Sequence, residues 1–105
     1  MSLSPLPAFT PDAAINFWFG ATTSNVALPG TPASDTTVIL TNQGQVPIFF
    51  KLGTTNAVTV TVATGFVVMP GQWRAIGIGS NTYLAGITVG GQTGTGATAN
   101  IVTGN

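Results

Sequence analysis

The chain has 105 residues, a formal net charge of zero and only four charged side chains, Asp12, Asp35, Lys51 and Arg74. With no His and no Cys, it lacks nearly all the residues used by metal sites and by acid–base or nucleophilic machinery. The same neutrality excludes clustered Lys and Arg, and with them nucleic acid and an anionic membrane surface as partners.

The length fits one domain, and 44% apolar residues suffice to fill a core. The absence of Cys removes any disulfide or thiolate chemistry. The start, Met1-Ser2-Leu3-Ser4-Pro5, has neither the basic nor the apolar region of a signal peptide. No run of about 18 apolar residues is present to span a bilayer as a helix. The polar surface must be built from uncharged groups, chiefly 18 Thr and seven Asn. Such a surface is wettable but weakly repelling, which suits a subunit packed against other proteins.

In chain order, residues 1–13 read as an extended arm, stiffened by Pro5, Pro7 and Pro11. Residues 14–19 are the first strand candidate and 23–28 the second, ending at the turn pair Pro29-Gly30. After a loop, residues 36–42 form a strong strand with Val38 and Leu40 on one face. Gln43-Gly44-Gln45 turns the chain into residues 46–52, where Val46, Ile48, Phe50 and Leu52 share a face and Lys51 takes the other. Residues 58–62 (Val-Thr-Val-Thr-Val) alternate at period two and predict a half-buried strand. A short strand over 66–69 precedes Pro70-Gly71, a type II turn pair. Residues 73–78 follow, with Ile76 and Ile78 inward and Arg74 on that side near the edge. Tyr83, Ala85 and Ile87 form the next inward set, residues 90–96 a Gly-rich loop, and Ala99 and Ile101 close the last strand.

Helical periodicity is missing, and strand signals recur roughly every ten residues. The expected fold is all-β, a single antiparallel β-sandwich or jelly roll of about eight short strands with an extended N-terminal arm. Residues 1–20 supply the arm and first strand, and residues 21–105 the sandwich domain. The expected core is Val38, Leu40, Ile48, Phe50, Val58, Val60, Ile76, Ile78, Tyr83, Ile87 and Ile101.

Few residues offer chemistry. Asp12 lies in the arm and Asp35 in a loop, where it reads as a turn residue capping backbone donors; paired-carboxylate catalysis needs two side by side. Lys51 reads as solvated, and Arg74 as pairing with a carboxylate within or between subunits. No Ser or Thr has a base placed by motif, so no enzyme activity is expected. The Gly-rich stretch from Gly86 to Gly96 precedes neither a Lys nor a helix, so it is a hairpin loop, not a phosphate cradle. Phe17-Trp18-Phe19 is the densest aromatic cluster, and its alternation puts apolar area on both faces of a strand. Trp18 and Trp73 could together form a sugar-stacking platform, although no polar cluster accompanies them in the sequence.

A run of strand and turn words links several segments. They are Ala21-Thr22-Thr23-Ser24-Asn25-Val26-Ala27-Leu28-Pro29, Val38-Ile39-Leu40-Thr41-Asn42-Gln43-Gly44, Ile48-Phe49-Phe50-Lys51-Leu52-Gly53, Met69-Pro70-Gly71 and Asn81-Thr82-Tyr83-Leu84-Ala85-Gly86-Ile87-Thr88. Over about residues 21–103 the series resembles small virion structural proteins of tailed bacteriophages, most of all head decoration (capsid cement) proteins. The resemblance implies a β-sandwich or jelly roll, often trimeric, seated on the capsid surface of a virion and made in the host cytoplasm. It implies the major capsid protein as partner, no cofactor and no enzymatic step. Leu3, Leu6, Phe9, Phe17, Trp18, Phe19, Trp73 and Arg74 are the expected subunit or capsid interface, with the arm reaching over a neighbour. The alternative is a glycan- or host-binding β-sandwich module of a phage neck, fibre or tail spike.

Overall fold

The computed structural model describes residues 9–30, 34–88 and 96–105. Eight strands and no helix occur among them: β1 (Pro11–Gly20), β2 (Ser24–Ala27), β3 (Thr37–Asn42), β4 (Ile48–Gly53), β5 (Phe66–Val68), β6 (Trp73–Gly77), β7 (Tyr83–Thr88) and β8 (Gly96–Gly104). They form two four-stranded antiparallel sheets, ordered β1-β8-β3-β6 and β2-β7-β4-β5. First pairs with last, second with seventh, third with sixth and fourth with fifth. The chain is therefore one long antiparallel ribbon, doubled back between β4 and β5 and rolled into two layers. That winding defines the eight-stranded jelly roll.

Alternation decides which residues line the space between the sheets. In β3, Val38, Leu40 and Asn42 are buried while Thr37, Ile39 and Thr41 are half-buried on the other side. In β4, Ile48 and Phe50 are fully buried and Lys51 is exposed. The core gathers Phe19, Val38, Leu40, Ile48, Phe50, Val68, Ile78, Leu84, Ala97, Ala99 and Ile101. Four Phe rings cross it in series. Phe17 lies 4.9 Å from Phe19, Phe19 meets Phe50 edge-on at 5.4 Å, and Phe50 lies 6.0 Å from Phe66. Each such pair contributes about 0.5–1.5 kcal/mol beyond its buried area.

One buried polar residue is fully used. The Asn42 amide donates to the carbonyls of Val46 and Val68 at 2.8 and 2.9 Å, and its oxygen accepts from Gly44 N–H at 2.9 Å. It fastens the β3–β4 turn to β5. The Pro70-Gly71 turn is closed by a Gln72 N–H to Met69 carbonyl bond of 3.0 Å, with Gly71 at φ 76°, as a type II turn requires.

Three expectations are corrected. The first strand begins at Pro11, not residue 14, because its start pairs with the end of β8 across an irregular step between Pro11 and Ala13.

Residues 58–62 are not a strand. Their polar groups are taken by side chains and turns instead. Val60 N–H donates to Thr23 Oγ1 at 3.1 Å, Asn25 Nδ2 donates to the Asn56 and Val58 carbonyls, and a turn follows from Thr61 to Gly65. The segment lies across the outer face of the β2-β7-β4-β5 sheet, with Val58 against Gly53 and Val60 against Gly65 and Phe49. Val60 is buried there, outside the core between the sheets.

The inward set of β7 is Leu84, Gly86 and Thr88, opposite Leu52, Phe50 and Ile48, and not Tyr83, Ala85 and Ile87. Both faces of β7 are covered, so apolar alternation does not discriminate between them.

Truncating Phe50 to Ala should cost about 3–5 kcal/mol, read as a lowered urea midpoint at unchanged slope; a loss under about 1 kcal/mol would place the ring outside the core. Thr88 Oγ1 is buried with no hydrogen-bond partner. Thr88→Val should therefore raise stability by about 1 kcal/mol, and a destabilised variant would show that the hydroxyl is bonded.

Candidate functional site

The fold brings the chain's two carboxylates together. The start of β1 pairs with the end of β8, and Thr36 N–H, next to Asp35, donates to the Gly104 carbonyl at 2.9 Å. Asp12 and Asp35 thus meet at the Pro29-Gly30 turn. A Cβ placed on Gly30 would stand 2.5 Å from Asp35 Oδ2, 2.6 Å from Asp12 Oδ2 and 2.7 Å from Thr103 Oγ1. The two carboxylate oxygens therefore lie within twice 2.6 Å of each other. Asp35 is 6% exposed, Asp12 is exposed, and the Thr103 hydroxyl donates to the Pro29 carbonyl at 2.7 Å. Sequence distance concealed this juxtaposition; only the pairing of first and last strands creates it.

The cations separate. Arg74 faces the side of Ile76, as expected, but its contacts are an aromatic ring and a carbonyl. Its guanidinium carbon stands 5.2 Å from the Phe66 centroid, and Nη1 donates to the Val67 carbonyl at 3.4 Å. It bridges edge strands β6 and β5 where the two sheets part, continuing the Phe series to the surface. Lys51 is exposed on the outer face of its sheet.

The outer face of the β1-β8-β3-β6 sheet is the most distinctive surface. Register sets its rows. Ala14, Val102, Ile39 and Ala75 form an apolar row across all four strands. Beside it run Asn16, Asn100, Thr41 and Trp73, then Trp18 with Thr98, then Gly20 with Gly96. No charged side chain occurs in these rows. Trp18 is 53% exposed and Trp73 64%. Asn100 Nδ2 donates to Asn16 Oδ1 at 3.0 Å, which fixes two neighbouring amides side by side.

Trp18 lies down on the sheet. A Cβ on Gly20 would stand 2.8 Å from Cη2 and Cζ3 of the indole, and one on Gly96 would overlap its Cζ2 and Cε2 edge. Two glycines form a floor under one face of the ring, and the other face looks outward. Gly20 has no positive φ, so close approach, not backbone conformation, is what excludes a side chain there.

The eight residues expected at an interface are dispersed. Phe19 is wholly buried and Phe17 is half-buried against the core. Trp18 and Trp73 share the outer face, and Arg74 closes the sheet edge. The ring of Phe9 lies over Gly104, at the end of that face. Leu3 and Leu6 lie outside the described residues, as does most of the expected loop over 90–96. The stretch from Gly86 to Gly96 is not a hairpin loop, because Gly86 lies within β7, Gly96 opens β8 and the two strands belong to different sheets. Asn16, Asn100, Gly20 and Gly96 were not singled out from the sequence. The even-numbered run Ala14, Asn16, Trp18 and Gly20 was a legible signal for one face of β1, but its partners on β8 were not.

The class this architecture defines is the jelly roll, which serves capsid and lectin domains alike. No protein-family model matches the chain, and no curated protein matches it. Among solved structures it is similar to a chain of Bacillus endospore appendages, described as a novel family of disulfide-linked pili, at TM-score 0.58 and 12% identity. The likeness covers 99% of this chain and 93% of that one, and at this identity it is a likeness of fold.

The glycine floor makes a testable coupling. Gly20→Ala should cost about 1–2 kcal/mol in the native chain, because the methyl group displaces the indole. With Trp18→Ala already present, the same change should be neutral or stabilise by up to about 1 kcal/mol, as Gly→Ala in a strand does. Equal effects in both backgrounds, by denaturant melts, would show that the ring does not rest on Gly20.

Proposed function

We propose that this chain is a non-enzymatic structural subunit of a protein assembly. In its finer form it is a head decoration protein that stabilises a tailed-bacteriophage capsid, as a homotrimer seated on the major capsid protein. One observation carries the reading. Asp12 and Asp35 gather at the Gly30 turn, Arg74 lies on Phe66 at the sheet edge and Lys51 stands on the outer face of its sheet, so these four side chains are the only charges on an otherwise uncharged surface. A surface with so little charge does not hold copies apart, and its stable condition is contact with other proteins. The jelly roll is a frequent capsid architecture, and the structurally similar Bacillus appendage chain belongs to a pilus, itself an assembly. That pilus is disulfide-linked, whereas these 105 residues contain no Cys, so they offer no disulfide to an assembly.

The contact surface in this reading is the N-terminal segment with Leu3 and Leu6, together with Phe9 at the end of β1. Because β1 begins at Pro11, the segment can be removed up to residue 8 without cutting the sheet. Light scattering on the full chain should give a trimer at micromolar concentration, unchanged by high salt because ion pairs do not hold it. It should bind empty shells in symmetry-fixed numbers, and removing residues 1–8 should weaken both. A monomer that binds no shell would contradict the reading.

A further inference from the structure

We propose that Trp18, Asn16, Asn100 and Thr98 form a stacking subsite for a neutral pyranose glycan. The site is distinct from the N-terminal contacts assigned to assembly.

Three features of the outer face point to this ligand class. The first is the ring. Trp18 is laid flat over Gly20 and Gly96 with its outer face free, and a flat exposed π-face receives the C–H face of a sugar ring.

The second is the polar set beside it. Asn16 is two residues along the same strand, Thr98 is the cross-strand partner of Trp18, and Asn100 is bonded to Asn16 at 3.0 Å. That bond uses one Asn100 donor and one Asn16 acceptor position. It leaves the Asn16 amide donors and the Asn100 carbonyl for a ligand. A side-chain bond that orients both amides next to a stacking ring supplies hydrogen-bonding groups of the kind a sugar hydroxyl needs.

The third is charge. The rows of this face hold no Asp, Glu, Lys or Arg; Arg74 lies on the opposite side of β6, against Phe66. An acidic sugar would find no cation, so the matching ligand is neutral.

Size separates a glycan from a protein partner. Two rows of four positions and two rows of two, with strands about 4.8 Å apart and rows about 7 Å apart, give a face of roughly 400 Å². A standing protein interface needs about 800 Å² per partner. A short oligosaccharide fits within the smaller area. Trp73, at the far end of the Asn16 row, would meet a chain of several sugar rings but not a disaccharide.

The test uses the full chain with cellohexaose, maltohexaose and mannohexaose as neutral probes and hexagalacturonate as the acidic one. Binding is read by tryptophan emission and by amide resonances of Gly20, Gly96 and Asn100. At least one neutral hexasaccharide should bind saturably at millimolar concentration or below and shift those resonances, while the acidic one does not. Trp18→Ala should weaken binding at least tenfold and Asn100→Ala severalfold. Both should leave the oligomeric state unchanged, since the assembly reading places its contacts on the N-terminal segment and Phe9. No shift with any neutral probe would overturn the proposal, as would equal binding by Trp18→Ala. A Trp18→Ala variant that loses its oligomeric state would identify the face as a protein contact instead, also overturning it. Failure of sugar binding with the trimer intact leaves the assembly reading standing, and a monomer that binds sugar leaves this one standing.

Discussion

The series of aromatic rings from Phe17 through Phe19 and Phe50 to Phe66 is the constraint on which the rest of the structure depends. Phe17 and Phe19 belong to one sheet, Phe50 and Phe66 to the other. With only four charged side chains in the chain, register between the two layers rests chiefly on shape. Phe19 sets the geometry most tightly. Its ring occupies the space that a Cβ on Gly86 would fill, so the inner face of β7 is flattened to receive it. Arg74 ends the series by covering Phe66 where the sheets open. The four rings and the guanidinium span the layer gap from one edge of the sandwich to the other.

Placing Phe17 and Phe19 inward obliges Trp18 to point outward, since neighbours on a strand take opposite faces. The exposure of Trp18 is therefore a consequence of core packing, whereas its flat attitude is not. That attitude comes from Gly20 and Gly96, two positions where any other residue would lift the ring. A core that needed only Phe17 and Phe19 would tolerate many residues in place of the tryptophan and of those glycines. The combination is what separates this face from an ordinary solvated one. Aromatic cover of paired glycines also stabilises sheets, so the floor and the ring support each other whatever lies above them.

Much of the fold is legible in the sequence because most strands have one dry face. Residues 36–42 and 46–52 alternate cleanly, and their inward residues Val38, Leu40, Ile48 and Phe50 are found in the core. Legibility fails where a strand or segment is covered on both sides or where alternation has another cause. In β7 both sets are shielded, because residues 54–65 lie over the outer face of its sheet, so Leu84 and Tyr83 could not be told apart by pattern. The Val-Thr alternation of 58–62 reflects a covering segment with one buried valine, Val60, and hydrogen bonds to side chains, not a ladder. The candidate sites depend on long-range pairing. Asp12 meets Asp35, and Asn16 meets Asn100, only because the first strand lies beside the last. The sequence carries the residues of these pairs but not their adjacency.

The aromatic series is open to direct measurement by nuclear magnetic resonance on the folded protein. If Phe19 packs on Gly86 and edge-on to Phe50, ring-current shielding should move the Gly86 Hα resonances well upfield of their unstructured positions. Nuclear Overhauser contacts should then run from the Phe19 ring to both Gly86 and the Phe50 ring. Gly86 Hα resonances at unstructured positions, with no contact between the Phe19 and Phe50 rings, would contradict the account of how the two sheets are held together.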